Sequence, residues 1–113
     1  MSLPFSPLRI SGLHVFLSGQ VGIKDGKLVS NDIREQTVQA IENVVSVLKA
    51  NSLALEDVMD VTAFLVSQDD YDIFNEVYVE HFKEPFPTRT TVTVKSLPLG
   101  AKVELKVIAQ IKA

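Results

Sequence analysis

Cysteine is absent from this 113-residue sequence, and other residues that build metal sites are scarce. Without cysteine, the chain can form neither disulfides nor thiolate catalytic or metal sites. The two histidines, His14 and His81, are too few for a familiar zinc site. The five glycines lack the spacing of a phosphate-binding loop. We therefore expect no metal site and no cofactor.

Long hydrophobic runs and an excess of basic residues are also missing. No apolar run approaches the roughly 20 residues that cross a bilayer, and the start, MSLPFSPLRI, lacks a basic region followed by a long apolar one. The formal net charge of -3 and the pI near 5.3 give no general attraction for nucleic acid or anionic membranes. We expect a soluble cytoplasmic protein with no nucleic-acid partner and no membrane partner.

Length and composition favour one globular domain over residues 1–113. A chain of this length can bury one modest core, which would gain from oligomerisation. The 46% hydrophobic and 22% charged residues are close to ordinary globular usage, which argues against disorder or a fibrous repeat.

Two stretches have helical periodicity, and each follows a capping signal. Asp32 and Glu35 have the spacing of a capping box, and residues 33–48 then keep an apolar stripe at helical spacing. Residues 67–70 cap a second helix, whose apolar face spans residues 73–82. The acids in and after that cap have capping positions rather than calcium-loop spacing.

Strand patterns cover much of the remaining chain. Residues 13–23 and 58–66 are rich in apolar β-formers, and Asp25-Gly26 favours a tight turn. The order strands, helix, strand, helix, strand, strand predicts an α+β fold, with a single sheet and both helices on one face. The other face of that sheet would meet either solvent or another copy of the chain.

The stretch at residues 86–111 carries the groups best suited to chemistry. It has the pattern of two strands joined by a Pro/Gly loop, and successive strand side chains point to opposite faces. In the first strand we expect Thr90, Val92 and Val94 to face the core and Arg89 to lie on the polar face with Thr91, Thr93 and Lys95. In the second, Glu104 lies on the polar face between Lys102 and Lys106.

Arg89 and Glu104 are the two residues with the clearest functional potential. A guanidinium offers a planar fork of donors that matches a carboxylate, and a glutamate can hold or deprotonate a water. An ordinary surface arginine and a solvated strand glutamate are the competing interpretations. A plain hairpin would place Thr93, not Arg89, opposite Glu104. A shared site therefore requires another strand order or a subunit boundary.

Several segments, in the same order, make this sequence similar to the YjgF/RidA family over nearly its whole length. They are Ser18-Gly19-Gln20, Asp32-x-x-Glu35-Gln36-Thr37, Glu42-Asn43, Val61-Thr62-Ala63-Phe64-Leu65, Phe74-Asn75-Glu76-Val77-Tyr78, Phe86-Pro87-Thr88-Arg89-Thr90, and Leu97-Pro98-Leu99-Gly100-Ala101 leading to Val103-Glu104. The resemblance implies a chorismate-mutase-like α+β fold in a homotrimer, with ligand clefts between subunits. It also implies that the strand near Val58 lies close to both final strands, which replaces the plain hairpin.

The activity that this resemblance implies is hydrolysis of reactive 2-imino acids to 2-oxo acids and ammonia, without metal or organic cofactor. Arg89 would bind the substrate carboxylate, and Glu104 would position the attacking water. A non-enzymatic protein that binds small carboxylates in the same cleft is the alternative. RNA cleavage is a further family activity, but no basic-aromatic surface is evident in this sequence.

The resemblance also assigns supporting residues to the cleft. Gly19 and Thr91 would contribute backbone contacts, and Asn75 and Ser18 would line or support the cleft. Ser18 lacks the G-x-S-x-G pattern of a nucleophile elbow. Phe5 takes the place of a family tyrosine and lacks the hydroxyl, which would remove any hydrogen bond from that group to ligand or water.

Overall fold

The computed structural model describes residues 3–112. They form one mixed sheet with two helices on one of its faces. The strands are β1 (Leu8–Ser11), β2 (His14–Leu17), β3 (Gln20–Val21), β4 (Ile23–Lys24), β5 (Lys27–Leu28), β6 (Val58–Leu65), β7 (Thr88–Thr93) and β8 (Val103–Gln110); the helices are α1 (Ile33–Lys49) and α2 (Tyr71–His81). The predicted α+β class is confirmed. Residues 1, 2 and 113 of the predicted domain lie outside the described residues.

The helices begin where their capping signals predict. The Asp32 carboxylate accepts a hydrogen bond from the Glu35 backbone N–H at 2.9 Å, which satisfies a donor at the start of α1. Ser67 caps a short 3-10 turn that leads into α2, accepting from the Asp69 N–H at 3.1 Å. No helix among residues 3–112 has the length and apolar character needed to cross a bilayer.

The sheet has the order β1-β2-β8-β6-β7, with β3 also pairing with β8. β6 pairs in parallel with β7 and antiparallel with β8. A direct hairpin between the last two strands is therefore wrong, and the order implied by the family resemblance is confirmed. The crossover through α2 places β7 parallel to β6 along one edge, which leaves the opposite edge of β6 for β8.

Strand register assigns the faces of the sheet. Val61 and Ala63 of β6 face the helices and are fully buried, and they pair with Arg89 and Thr91. The prediction that Thr90 and Val92 face the core is therefore wrong. β7 lies at the sheet edge, so its helix-side positions, Arg89 and Thr91, lie at the margin of the core and are only partly buried.

The second face of the sheet is not covered by either helix. It holds the outward-facing residues of β8, including Glu104 and Ile108, together with Phe16 and Val92, which are 39% and 40% exposed. The helix-side residues of β8, by contrast, are all buried, in keeping with the alternation read from the sequence. One chain thus leaves a partly apolar sheet face open.

Two short elements near the N-terminus complete the fold. β4 and β5 form a separate hairpin around Asp25 and Gly26, whose φ angles of 55° and 80° fit the predicted tight turn. β1 was not predicted from the sequence. It is a short edge strand with mostly exposed residues, and its alternating Leu8-Arg9-Ile10-Ser11 pattern covers only four residues, which is too brief to stand out in the sequence.

Candidate functional site

The predicted site residues fall into two groups on opposite faces of the sheet. Glu104 pairs with Phe64 of β6, whereas Arg89 pairs with Val61. Phe64 and Val61 are three positions apart, so their side chains point to opposite faces. One chain therefore does not bring Arg89 and Glu104 together.

The first group surrounds a cleft of about 890 Å³ beside Glu104. The cleft forms at Ser18 and Gly19, the two residues between the end of β2 and the start of β3. Its lining residues are Leu3, Phe5, Ser18, Gly19, Gln20, Val21, Ile23, Asn43, Pro98, Leu99 and Glu104. We call this the Glu104 cleft.

Gly19 lets the Glu104 carboxylate lie directly against the backbone. A Cβ at position 19 would overlap Oε2 of Glu104 and lie 2.8 Å from its Cδ. Real Cβ atoms do not approach heavy atoms so closely, so a larger residue at this position would displace the carboxylate. Glycine is therefore part of what fixes Glu104.

Ser18 ties the N-terminal segment to the cleft. Its hydroxyl donates to the Ser6 carbonyl at 2.5 Å, and its backbone N–H donates to the Pro7 carbonyl at 3.0 Å. These bonds hold the segment that carries Phe5 beside the cleft. The hydroxyl proton of Ser18 is therefore already donated within the chain.

Asn43 supports the floor of the cleft from α1. Its side-chain amide donates to the carbonyls of Val21 and Ile23, each at 2.9 Å. The sequence showed Asn43 only as part of a family motif. Its role as a bridge between helix and strand depends on a contact about 20 residues distant in the chain, which no local pattern reveals.

The Glu104 carboxylate is partly desolvated. Burial raises its pKa above the ordinary value, and the charge of nearby Lys106 opposes that rise. The Lys106 ammonium is held by the Leu17 carbonyl at 3.1 Å. Among residues 3–112, no group donates a hydrogen bond to the Glu104 side chain. Its oxygens are therefore free to accept from a water.

The second group surrounds Arg89 and uses the aromatic face of α2. The Arg89 guanidinium carbon lies 4.7 Å from the ring centroid of Tyr78, 5.3 Å from that of Phe74 and 5.9 Å from that of Tyr71. The hydroxyl of Tyr71 accepts a hydrogen bond from Arg89 Nη2 at 3.3 Å. We call Arg89 and these rings the arginine cradle.

The cradle positions Arg89 without neutralising it. Within the part of the chain that the structure describes, no carboxylate forms an ion pair with Arg89, whereas Arg34 is paired with Glu76 at 3.0 Å. Cation–π contacts favour the charged guanidinium over the rings and leave its N–H donors available. The arrangement suits a ligand that brings its own negative charge.

Unused hydroxyls and a second cavity lie beside the cradle. Thr91 Oγ1 and Tyr78 Oη are buried and have no hydrogen-bond partner among residues 3–112. Burial raises the pKa of Tyr78; the charge of Arg89 opposes the shift and that of Asp60 adds to it. The adjoining cavity, of about 380 Å³, is lined by Leu65, Gln68, Tyr71, Asp72, Thr91 and Thr93.

Asn75 lies on α2 and is half-buried. It is four residues from Tyr71 and three from Tyr78, so it shares their helix face and belongs to the Arg89 side. The sequence did not identify the aromatic rings as site residues. Their spacing at positions 71, 74 and 78 marks one helix face, but only the sheet order shows that Arg89 lies beneath it.

Comparison with known proteins places this architecture. The endoribonuclease L-PSP family model matches residues 2–111. The mitochondrial protein mmf2 of Schizosaccharomyces pombe is 41% identical over 109 residues, covering 94% of this chain and 86% of that protein. The 2-iminobutanoate/2-iminopropanoate deaminase of Dermatophagoides farinae is 36% identical over 111 residues, covering 96% and 87%.

A solved structure agrees in fold. The crystal structure of E. coli TdcF with bound serine superposes with a TM-score of 0.90 at 30% identity, and the match covers 99% of this chain and 91% of that one. The sequence resemblance is confirmed, and the chain belongs to the endoribonuclease L-PSP family, which is the YjgF/RidA family.

Proposed function

We propose that this protein hydrolyses 2-imino acids to 2-oxo acids and ammonia, at a site that two copies of the chain complete together. One observation carries the proposal: a partly desolvated Glu104 and a positioned Arg89, which no carboxylate among residues 3–112 pairs with, lie on opposite faces of one sheet. Each chain has one half of the required chemistry on each face.

Arg89 binds the substrate carboxylate. Its planar fork of donors matches two carboxylate oxygens, and a charge-assisted pair of this kind fixes orientation as well as position. The rings behind the guanidinium limit its motion, so less freedom is lost when the ligand binds. Thr91, two residues farther along the same face, lines the adjoining cavity.

Glu104 positions the attacking water. In its ionised form it accepts a proton from the water as the water oxygen bonds to the imine carbon. The C=N electrons move to nitrogen, which takes the proton back from Glu104. The hydroxyl proton of the tetrahedral intermediate is then transferred to the same nitrogen, and ammonia leaves as the C=O bond forms, so that imine and water give a 2-oxo acid and ammonia. Burial raises the pKa of Glu104, which improves its strength as a base.

The site also predicts how the copies assemble. If the Arg89 side of one copy meets the Glu104 side of the next, the two contacting surfaces differ, and such head-to-tail contacts form a closed ring where the rotation between copies closes. The open sheet face, with Phe16 and Val92 exposed, provides apolar surface for that contact. We infer a homotrimer, in agreement with what the family resemblance implies.

Relatives support the substrate class. The mite relative is named a 2-iminobutanoate/2-iminopropanoate deaminase, and E. coli TdcF was crystallised with serine, an amino acid that carries a carboxylate.

A second candidate is a protein that binds small carboxylates without turnover. The cradle suits it, because the ring contacts hold Arg89 and leave its donors available for a carboxylate. Calorimetry showing 2-oxo acid binding, together with no imine turnover, would identify this function.

The test compares wild type with Arg89→Ala and Arg89→Lys, using 2-iminopropanoate generated in situ and ammonia release as the readout. Charged hydrogen bonds contribute roughly 1.5 to 3 kcal/mol each, so Arg89→Ala should lower kcat/KM by about ten- to a hundredfold or more. Arg89→Lys should also lose most activity, because an ammonium cannot reproduce the fork. A wild-type protein that does not accelerate ammonia release would refute the deaminase function.

A further inference from the structure

We propose that the Glu104 cleft binds a large apolar side chain, so that the preferred substrates are 2-imino acids with branched aliphatic or aromatic side chains. This inference rests on the proposed function and specifies its substrate. Hydrolysis of the imine is the same step for every substrate in the class. The difference lies in the group that enters the cleft while Arg89 of the neighbouring copy holds the carboxylate.

The wall of the cleft is apolar over most of its extent. Around the Glu104 carboxylate it consists of Leu3, Phe5, Val21, Ile23, Pro98 and Leu99. Phe5 and Leu99 are 61% and 66% exposed, so both side chains offer surface to a ligand. An apolar cleft with a few fixed polar groups is the usual form of a small-molecule site.

Leu99 is held at the mouth of the cleft by an unusual backbone conformation. Its φ and ψ of 61° and 18° fall in the left-handed region, which a bulky residue rarely adopts, and Gly100 follows with a φ of 72°. Strained residues of this kind concentrate at ligand sites. Here the strained conformation places an exposed leucine side chain over the cleft. Core packing does not account for it, because the Leu99 side chain is not buried.

The side-chain donors of Ser18, Gln20 and Asn43 in the cleft are already engaged with backbone carbonyls. Ser18 donates to Ser6, Asn43 donates to Val21 and Ile23, and the Gln20 amide donates to the Ser18 carbonyl at 3.4 Å. Phe5 has no hydroxyl to offer. A substrate side chain that needs hydrogen-bond donors would therefore lose water and find few side-chain donors to replace it. A carboxylate side chain would also be repelled by Glu104.

The volume of the cleft also favours a large group. At about 890 Å³ it lies near the upper end of the range for ligand sites, far larger than the methyl group of 2-iminopropanoate needs. A neighbouring copy covers part of this space in the assembled protein. A methyl group would leave much of the apolar wall in contact with water, whereas a leucine or phenylalanine side chain would cover it.

The experiment measures kcat/KM for four imines generated in situ, derived from alanine, leucine, phenylalanine and glutamate. Since each added methylene in an apolar pocket is worth roughly tenfold or more, the leucine-derived imine should exceed the alanine-derived one by at least about tenfold. The glutamate-derived imine should be the poorest. Leu99→Ala and Phe5→Ala should each lower the leucine-to-alanine ratio by about threefold or more.

Val79→Ala is the matched control, because Val79 is 53% exposed on α2, outside the cleft residues, and should leave the ratio unchanged. Turnover with equal kcat/KM for all four imines, or a ratio unaffected by both cleft variants, would overturn this inference and leave the deaminase function standing. No turnover of any imine would overturn both.

Discussion

The arginine cradle and the Glu104 cleft position their functional groups in different ways. The cradle is built from a packed helix face, where Phe74 is fully buried and Tyr78 is 4% exposed. The cleft is built from the break between β2 and β3, from Gly19, and from the N-terminal segment to which Ser18 is hydrogen-bonded. Arg89 is thus fixed by core packing, whereas Glu104 is fixed by backbone proximity.

This difference predicts which of the two, the cradle or the cleft, tolerates substitution without loss of stability. Changes around Arg89 reach the core through Phe74 and Tyr78, so they alter stability together with activity. Changes around Glu104 meet mostly exposed or flexible groups, so they alter activity first. Variants that separate these two effects test the comparison.

Gly19→Ala should have the largest effect on activity. The new Cβ would push the Glu104 carboxylate from its position, and a misplacement of this size costs about a hundredfold in rate. The displaced atoms belong to the end of a flexible side chain, so the melting temperature should stay near that of wild type. Ammonia release and thermal unfolding, measured on the same protein, check both halves of this prediction.

Gly22→Ala is the matched control for that variant. A Cβ at position 22 would lie 2.6 Å from the backbone oxygen of Gln36 in α1, which cannot move without displacing the helix. It should lower the melting temperature by several degrees, since overpacking of this kind costs about 1 to 3 kcal/mol. If Gly19→Ala lowered the melting temperature as much as Gly22→Ala, the cleft would not tolerate substitution better than the cradle.

The pH profile of activity should reflect the environment of Glu104. Its pKa is raised by burial, and the carboxylate must be ionised to position water, so kcat/KM should fall as the pH drops through that raised pKa. Lys106→Gln removes a charge that lowers the pKa, so it should move the acid limb to higher pH. Lys49→Gln, at the end of α1, should leave the limb in place. A Lys106→Gln limb that moved to lower pH would contradict this role of Lys106.

Tyr71→Phe should have the smallest effect, because it removes one acceptor of Arg89 and keeps the ring. KM should rise by about two- to fivefold with little change in kcat, since one hydrogen bond of this kind contributes roughly 1 kcal/mol. Equal KM values for Tyr71→Phe and wild type would show that the ring alone positions Arg89.

Tyr78→Phe removes a buried hydroxyl without a partner among residues 3–112, so it should raise the melting temperature.

The parts of the fold that the sequence predicts are those that local patterns encode. The Asp32 cap, the apolar stripe of α1, the buried β6 and the alternation of β8 all follow from spacing within a few residues. The faces of β7 do not. There the alternation is real, but its polar side faces α2, because an edge strand can place Arg89 and Thr91 at the margin of the core.

The candidate site divides in the same way. Arg89 and Glu104 are identifiable from their chemistry and from the family motifs. That they lie on opposite faces of the sheet depends on β6 lying between β7 and β8, which is a long-range property. The contacts of Arg89 with Tyr71 and Tyr78, and of Gly19 with Glu104, likewise join distant parts of the chain.

Mixing two impaired variants measures directly whether neighbouring copies share the site. Arg89→Ala and Glu104→Gln proteins, unfolded together in equal amounts and refolded, form mixed rings. In these rings about a quarter of the subunit boundaries join an intact Arg89 to an intact Glu104. We predict recovery of about a quarter of wild-type activity, well above the residual activity of either variant refolded alone, which for Arg89→Ala is at most about a tenth of wild type. No recovery in mixed assemblies confirmed by native mass spectrometry would contradict a site shared between copies.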